Sequence, residues 1–282
     1  MKIKKNQLYL YVLISIFTFT LFLGQASATE YINYYDITMT SQQYNNLLNL
    51  GFSEDEIYYM DEDTFELNKD VSSTLVATNE KFYKSIYTDL NGNSYSVEIT
   101  KDEYENQGSM DSRGTVSTEY KTMVTTLSKL TNTFRYKVSL AWKKFPAVRS
   151  YDIMGIGFGD NVYISSSLYH GYNYCYSNGD CTTSTLYYYR QTTPTGGSVV
   201  YKLPSSTDIR SLGSYLYYDV SKNTTSTITR LDMYGDYSHA TTNVTSSIYS
   251  NHVINIGGIG LGSNSGYYDA VPCAQSTWVG SW

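Results

Sequence analysis

From residue 118 onward, apolar and polar positions alternate in short runs. In FRYKVSLAW, Phe134, Tyr136, Val138, Leu140 and Trp142 fall on one side, and Arg135, Lys137, Ser139 and Ala141 on the other. Successive side chains of a strand point to opposite faces, so this pattern predicts an antiparallel strand with one buried and one wet face. EYKTMVTTL, just before it, pairs with it through a turn over 128–133. Further β-runs are expected near 151–158, 161–169, 184–190, 198–203, 214–220, 226–234 and 246–256, with Gly, Asn, Asp and Ser between them. Pro146 and Pro204 sit at strand exits, where no ladder donor is lost. Short strands without helical periodicity between them predict a mainly β fold, with an antiparallel β-sandwich or barrel-like domain over 118–282.

A different period governs the chain before that point. Thr40 with Gln43 fits a capping box, Tyr44, Leu47 and Leu48 share one helical face, and Gly51 supplies a stop. Ser53 with Glu56 is a second capping box, followed by Ile57, Tyr58 and Met60. These signals predict a helix-turn-helix unit closed by Phe65 and Leu67. KFYKSIYTDLNGNSYSVEIT then reads as a β-hairpin turning at Asn91-Gly92. Residues 29–105 therefore form an N-terminal region, and the polar stretch 106–117 a linker. Arg113 is the one basic residue between Lys101 and Lys121, which makes it the candidate processing site for a trypsin-like cut.

The first 28 residues read as a secretory signal. Lys2, Lys4 and Lys5 precede a mostly apolar stretch from Leu8 to Leu23, and Ala26-Ser27-Ala28 places cleavage after Ala28. No later apolar stretch approaches the roughly 20 residues of a membrane span. The expected product is secreted and extracellular, starting at Thr29.

Charge changes the picture along the chain. Residues 29–120 hold 18 acidic and 5 basic residues, while residues 121–282 hold 8 acidic and 12 basic ones. The front is strongly acidic, which argues against nucleic acid, since phosphate binding needs positive charge. Two meanings stay open: an acidic unit beside a nearly neutral domain, or an acidic segment that masks a more basic domain until it is removed. Asp61, Glu62, Asp63 and Glu66 read as a solvated acidic face, because an EF-hand loop would need a central glycine and a terminal glutamate at fixed spacing.

Tyrosine dominates the aromatics, with 32 against 9 phenylalanines and 3 tryptophans. Its apolar body and polar tip suit half-exposed positions and contact surfaces. SLYHGYNYCYSNGDCTTSTLYYYR is the densest stretch, and Tyr169, Tyr172, Tyr174, Tyr176 and Tyr187 are the candidate binding surface. Cys175 and Cys181 flank the turn former Asn178-Gly179-Asp180 and are expected to close a disulfide, which stabilises such a small loop by about 2 kcal/mol. Cys273 is left to pair with either, stay buried or link two chains.

LLNLGFSEDEI and WKKFPAVRSYDIMGIGF resemble segments of a group of secreted proteins of Gram-positive bacteria that have no assigned activity. The resemblance implies an exported, β-rich protein and carries no functional residue.

No nucleophile elbow, zinc-binding helix, Walker loop or dinucleotide fingerprint occurs, and no Cys/His spacing suits zinc. No cofactor is expected. The glycine-rich GIGFG at 155–159 and GGIGLG at 257–262 read as tight strand ends or bulges. His170, His239 and His252 are scattered, with Asp236 near His239. The leading expectation is a secreted, non-catalytic binding protein, extracellular or envelope-associated, whose partner is a cell-wall glycan, a surface protein or a target membrane. The alternative is an antibacterial or pore-forming protein whose acidic prosegment is removed near Arg113. Its support is the Ser/Thr-rich strands, which alternate as barrel strands do.

Overall fold

The computed structural model describes residues 30–87, 94–106, 118–159 and 161–282. The stretch expected to be a secretory signal with Ala28, the expected turn at Asn91-Gly92, and Arg113 lie outside them.

The chain starts with a small ribbon, β1 (Glu30–Ile32) against β2 (Thr38–Thr40). Helix α1 (Ser41–Asn49) follows. The Thr40 hydroxyl accepts from the Gln43 N–H at 3.3 Å, and the Gln43 side chain accepts from the Thr40 N–H at 2.9 Å. Gly51, at φ 85°, ends the helix: its N–H donates to Leu48 O, and that of Phe52 to Leu47 O. Helix α2 (Glu54–Tyr58) carries the expected Ser53/Glu56 box. A third helix, α3 (Glu62–Asn68), corrects the two-helix expectation. Asp61 caps it, accepting from the Thr64 N–H at 2.8 Å, and Phe65 anchors it inside. The stretch read as a solvated face is exposed at Glu62, Asp63 and Glu66, and it is also a helix start, where acidic residues favour the exposed N–H groups.

Two larger sheets make the sandwich. One has the order β10 (Cys181–Ser184), β9 (Tyr169–Tyr176), β13 (Ile209–Lys222), β6 (Phe134–Lys144), β5 (Thr118–Lys129), β3 (Thr74–Tyr87) and β4 (Ser94–Ile99), with β8 (Val162–Ile164) also on β13. The other has the order β11 (Tyr189–Thr193), β12 (Gly196–Lys202), β7 (Tyr151–Phe158), β14 (Arg230–Ala240) and β17 (Tyr268–Val279). All pairings are antiparallel. Phe134, Tyr136, Val138, Leu216 and Tyr218 of the first sheet meet Met154, Ile156, Val199, Met233 and Val271 of the second in one core. Each large side chain buried this way contributes roughly 1.5–3 kcal/mol.

Three expectations change. The outer face of β6 is not wet: Arg135 and Lys137 are buried. The N-terminal unit lies over that face, where Met39, Leu47, Leu50, Phe52, Ile57, Met60 and Phe65 pack on Tyr215 and Tyr217. It is a third layer of the fold. The expected boundary at 106–117 does not separate two sheets either, because β3 pairs with β5 from Thr74↔Lys129 to Ile86↔Thr118. The run at 246–256 splits into a helical turn α4 (Ser246–Tyr249) and strand β15 (Val253–Asn255), which pairs with β16 (Gly258–Gly260). The glycines there serve close approach: a Cβ on Gly157 would lie 2.2 Å from Asn255 O.

Candidate functional site

A cleft of about 710 Å³ opens between α3, the β9–β10 hairpin and residues 185–187. Its floor comes from β13. Alternation there sends Leu216 and Tyr218 into the sandwich and Tyr215 and Tyr217 to the opposite face, beneath the N-terminal unit. Tyr169 stacks on Tyr217 with ring centroids 5.0 Å apart and planes 16° from parallel. Tyr217 is fixed from two further sides. Its hydroxyl accepts from Asn68 Nδ2 at 2.9 Å, and the Arg135 guanidinium lies 4.5 Å from its ring centre. Arg135 also bonds Asp219 at 2.8 Å.

Asp61, Glu62 and Asp63 form the acidic wall, and Thr183 to Tyr187 the opposite one. Leu186 (69% exposed) and Tyr187 (44%) are open to solvent, and Arg190 lies 5.7 Å from the Tyr187 ring. The cleft thus joins aromatic faces to hydrogen-bond acceptors, an arrangement suited to a polar ligand with flat apolar faces.

Of the five candidate tyrosines, Tyr169 and Tyr187 line this cleft. Tyr172, Tyr174 and Tyr176 do not: they alternate onto the other face of β9 and pack against the sandwich core. Cys175 and Cys181 form the expected disulfide, directly opposite each other in the β9–β10 ladder. The hairpin tip shows Ser177, Asn178 and Asp180 to solvent, with the Tyr176 ring half-buried beside them. The N-terminal unit holds it, with the Cys181 N–H donating to the Tyr34 hydroxyl at 2.9 Å and Thr183 Oγ1 to Tyr59 O at 2.6 Å. Cys273 is exposed and unpaired, so its pairing with either of the others is ruled out. Tyr215, Tyr217, Asp61 and Asp63 were not legible as one site, because only tertiary docking brings residues 61–63 against β13.

The histidines are buried. His170, which lines the cleft, has no hydrogen-bond partner on either ring nitrogen among the described residues, and burial pushes it down to about 3. His252 Nε2 meets Ser198 Oγ at 2.8 Å inside the fold, while its Nδ1 donates to Tyr249 O. Asp236 does not meet His239. It accepts from the backbone N–H groups of Tyr237 and Ile259, and burial raises it to about 7. The partner of His239 is Asp152, 3.0 Å from Nδ1. Among the described residues, no three His, Cys, Asp or Glu side chains are grouped to hold a metal ion, and no helix is long and apolar enough to cross a membrane.

No family model matches the chain, and no curated protein does. Several solved structures share weak likeness, among them the following three. The collagen-binding domain of Erysipelothrix rhusiopathiae surface protein RspB is 8% identical at a TM-score of 0.28, over 57% of this chain and 65% of that one. AvmM, which catalyses macrocyclization in alchivemycin A biosynthesis, is 12% identical at 0.23, over 51% and 78%. Clostridium perfringens delta-toxin is 9% identical at 0.15, over 73% and 92%. Likeness this distant lends nothing to a functional reading.

Proposed function

We propose that this is a secreted, non-catalytic binding protein of the extracellular space or cell envelope, and that its ligand is an envelope glycan held in the tyrosine cleft. The observation that carries the reading is the convergence of Tyr169, Tyr187, Tyr215 and Tyr217 with Asp61, Glu62 and Asp63 on one open cleft. The accessible rings of Tyr169 and Tyr187 offer apolar platforms for sugar faces, Tyr215 and Tyr217 being buried, and the carboxylates accept from hydroxyl or ammonium groups. The resemblance to secreted proteins of Gram-positive bacteria agrees with this setting. The prosegment alternative has less support. A cut near Arg113 leaves β3 hydrogen-bonded to β5 along its length and leaves Lys137 paired with Glu56, so the acidic unit would stay attached.

The test is sedimentation of the exported protein with isolated Gram-positive cell walls. Tyr187→Ala and Asp63→Asn should each weaken retention roughly 10-fold, the equivalent of about 1.4 kcal/mol, with the fold intact by circular dichroism. Equal retention of both variants, or none by the parent, contradicts the reading. Dye release from liposomes by the intact protein would support the pore-forming alternative instead.

A further inference from the structure

A second cluster of chemistry-bearing side chains, none of them lining the cleft, lies between the two sheets. Lys121 on β5 and Asp269 on β17 are both fully buried, with Nζ 3.4 Å from Oδ2. Nζ also donates to Ser85 Oγ at 2.7 Å and sits 4.7 Å from the Trp142 ring centre and 5.9 Å from that of Tyr237. Ser85 and Ser96 both donate to Asp269 Oδ2, at 2.6 and 2.7 Å. His239 stands directly opposite Asp269 in the β14–β17 ladder. Its Nδ1 is held by Asp152, which accepts through the same carboxylate from the Ala240 N–H at 2.9 Å and from the Tyr237 hydroxyl. Asp269 Oδ1 and His239 Nε2 have no hydrogen-bond partner among the described residues. Glu119, two residues before Lys121 on β5, is buried too, and its charge bears on His239.

We infer that Lys121 and Asp269 are a self-modification site, where Nζ and the side-chain carboxyl condense into an amide that covalently joins the two sheets. A buried amine and carboxyl in contact are costly as ions, because no water solvates either charge. The amide removes both charges while keeping one hydrogen-bond donor and one acceptor. Held face to face, the two groups react with an effective concentration of up to about 10⁵–10⁸ M.

The step balances within the chain. The pair begins as ammonium and carboxylate; burial raises Asp269, but Lys121 with the Ser85 and Ser96 hydroxyls brings it below its ordinary range. One proton passes from Nζ to the carboxyl. The neutral amine attacks Cγ and the C–N bond forms. The C–O bond to the departing hydroxyl breaks, and that oxygen leaves as water with the proton the nitrogen sheds. No oxidant, metal or cofactor is required. His239 is the group placed to carry that proton through Nε2, with Asp152 holding its ring from the other side. Asp152 keeps His239 more basic than usual although burial opposes this. The aromatic rings of Trp142 and Tyr237 shield the amine and keep water from reversing the bond.

The test is mass spectrometry of the full exported protein after reduction and alkylation. The intact chain should be one water lighter than its sequence. Trypsin should leave Lys121 uncut and yield a branched species joining residues 114–129 to 231–282, since no Lys or Arg follows Arg230. Asp269→Ala should restore the full mass and free the two peptides. His239→Gln should leave far-ultraviolet circular dichroism unchanged but lower the crosslinked fraction at least 10-fold at early times after refolding. A parent chain of full mass, cut after Lys121 and releasing 231–282 as a linear peptide, overturns the inference whether or not the variants fold.

Discussion

Two buried lysines on the same sheet meet different surroundings. Lys137 points outward from β6, and the N-terminal unit reaches it: Glu56 accepts from Nζ at 2.7 Å and Gly51 O at 3.1 Å. Lys121 points inward from β5 and meets Asp269 of the second sheet. The Glu56 side chain keeps 10% of its surface in solvent, whereas the Asp269 side chain keeps none. Glu56 is also tied to the Ser53 N–H at 2.8 Å, within the capping box that starts α2. The outer pair is thus a latch between a helix start and a sheet. The inner pair is a sealed contact with a histidine beside it. Position within the layers decides whether an amine and a carboxyl merely attract or are set up to react.

The comparison also explains why the acidic front and the more basic remainder belong together. One opposite-charge pair, Lys137 with Glu56, is buried at their interface, where Arg135 also donates to the neutral Asn68 amide while its carboxylate partner, Asp219, lies on β13. Burial lowers Lys137, partly offset by Glu56.

Breaking the inner contact should have the largest effect. Asp269→Ala strands Lys121 in a dry site and should cost about 3–5 kcal/mol in urea unfolding. Breaking the outer one should cost somewhat less. Glu56→Gln preserves the cap but removes the charge, and a loss of about 3 kcal/mol is expected. Replacing both partners, Lys137→Met with Glu56→Leu, should recover most of that loss, since neither leaves a buried charge behind.

Acid separates a third buried cation-former from these two. Burial holds His170 neutral down to about 3, against an ordinary value of 6.5. The unfolded chain takes up that proton first, so stability present above pH 6.5 is lost as pH falls toward 3, by about 1.4 kcal/mol per unit. Asp236, raised to about 7, acts with the opposite sign, favouring the fold as pH falls below 7. Comparing His170→Phe with the parent isolates the histidine: the variant should lose less stability between pH 6.5 and 4 in thermal melts. Tyr187→Ala should barely change stability, by roughly 0.5 kcal/mol or less, because its ring is largely exposed. Its expected effect is on the proposed wall binding.

Local signals were legible. Both capping boxes, the Gly51 stop, the β5–β6 pairing, β7 at 151–158 and the Cys175–Cys181 disulfide follow from spacing and turn chemistry. Partnership was not. The alternation in FRYKVSLAW says that Arg135 and Lys137 share a face, but whether water or another layer covers that face depends on residues 39–68. Tyrosine density marked 167–190, yet alternation on β9 turns three of its rings inward. The cleft instead borrows Tyr215 and Tyr217 from a strand 40 residues later. Strand β17 went unread because its alternation is broken by Pro272 and Cys273, which face solvent.

The central claim is that the acidic N-terminal unit is a permanent layer that walls the binding cleft. Its most direct test is the N-terminal sequence of the exported, wall-binding protein, read on denatured, reduced material. A chain that begins at Thr29 and continues uncut through Arg113 is the predicted result. A wall-binding chain that begins near Gly114, with the acidic unit gone, would contradict the account.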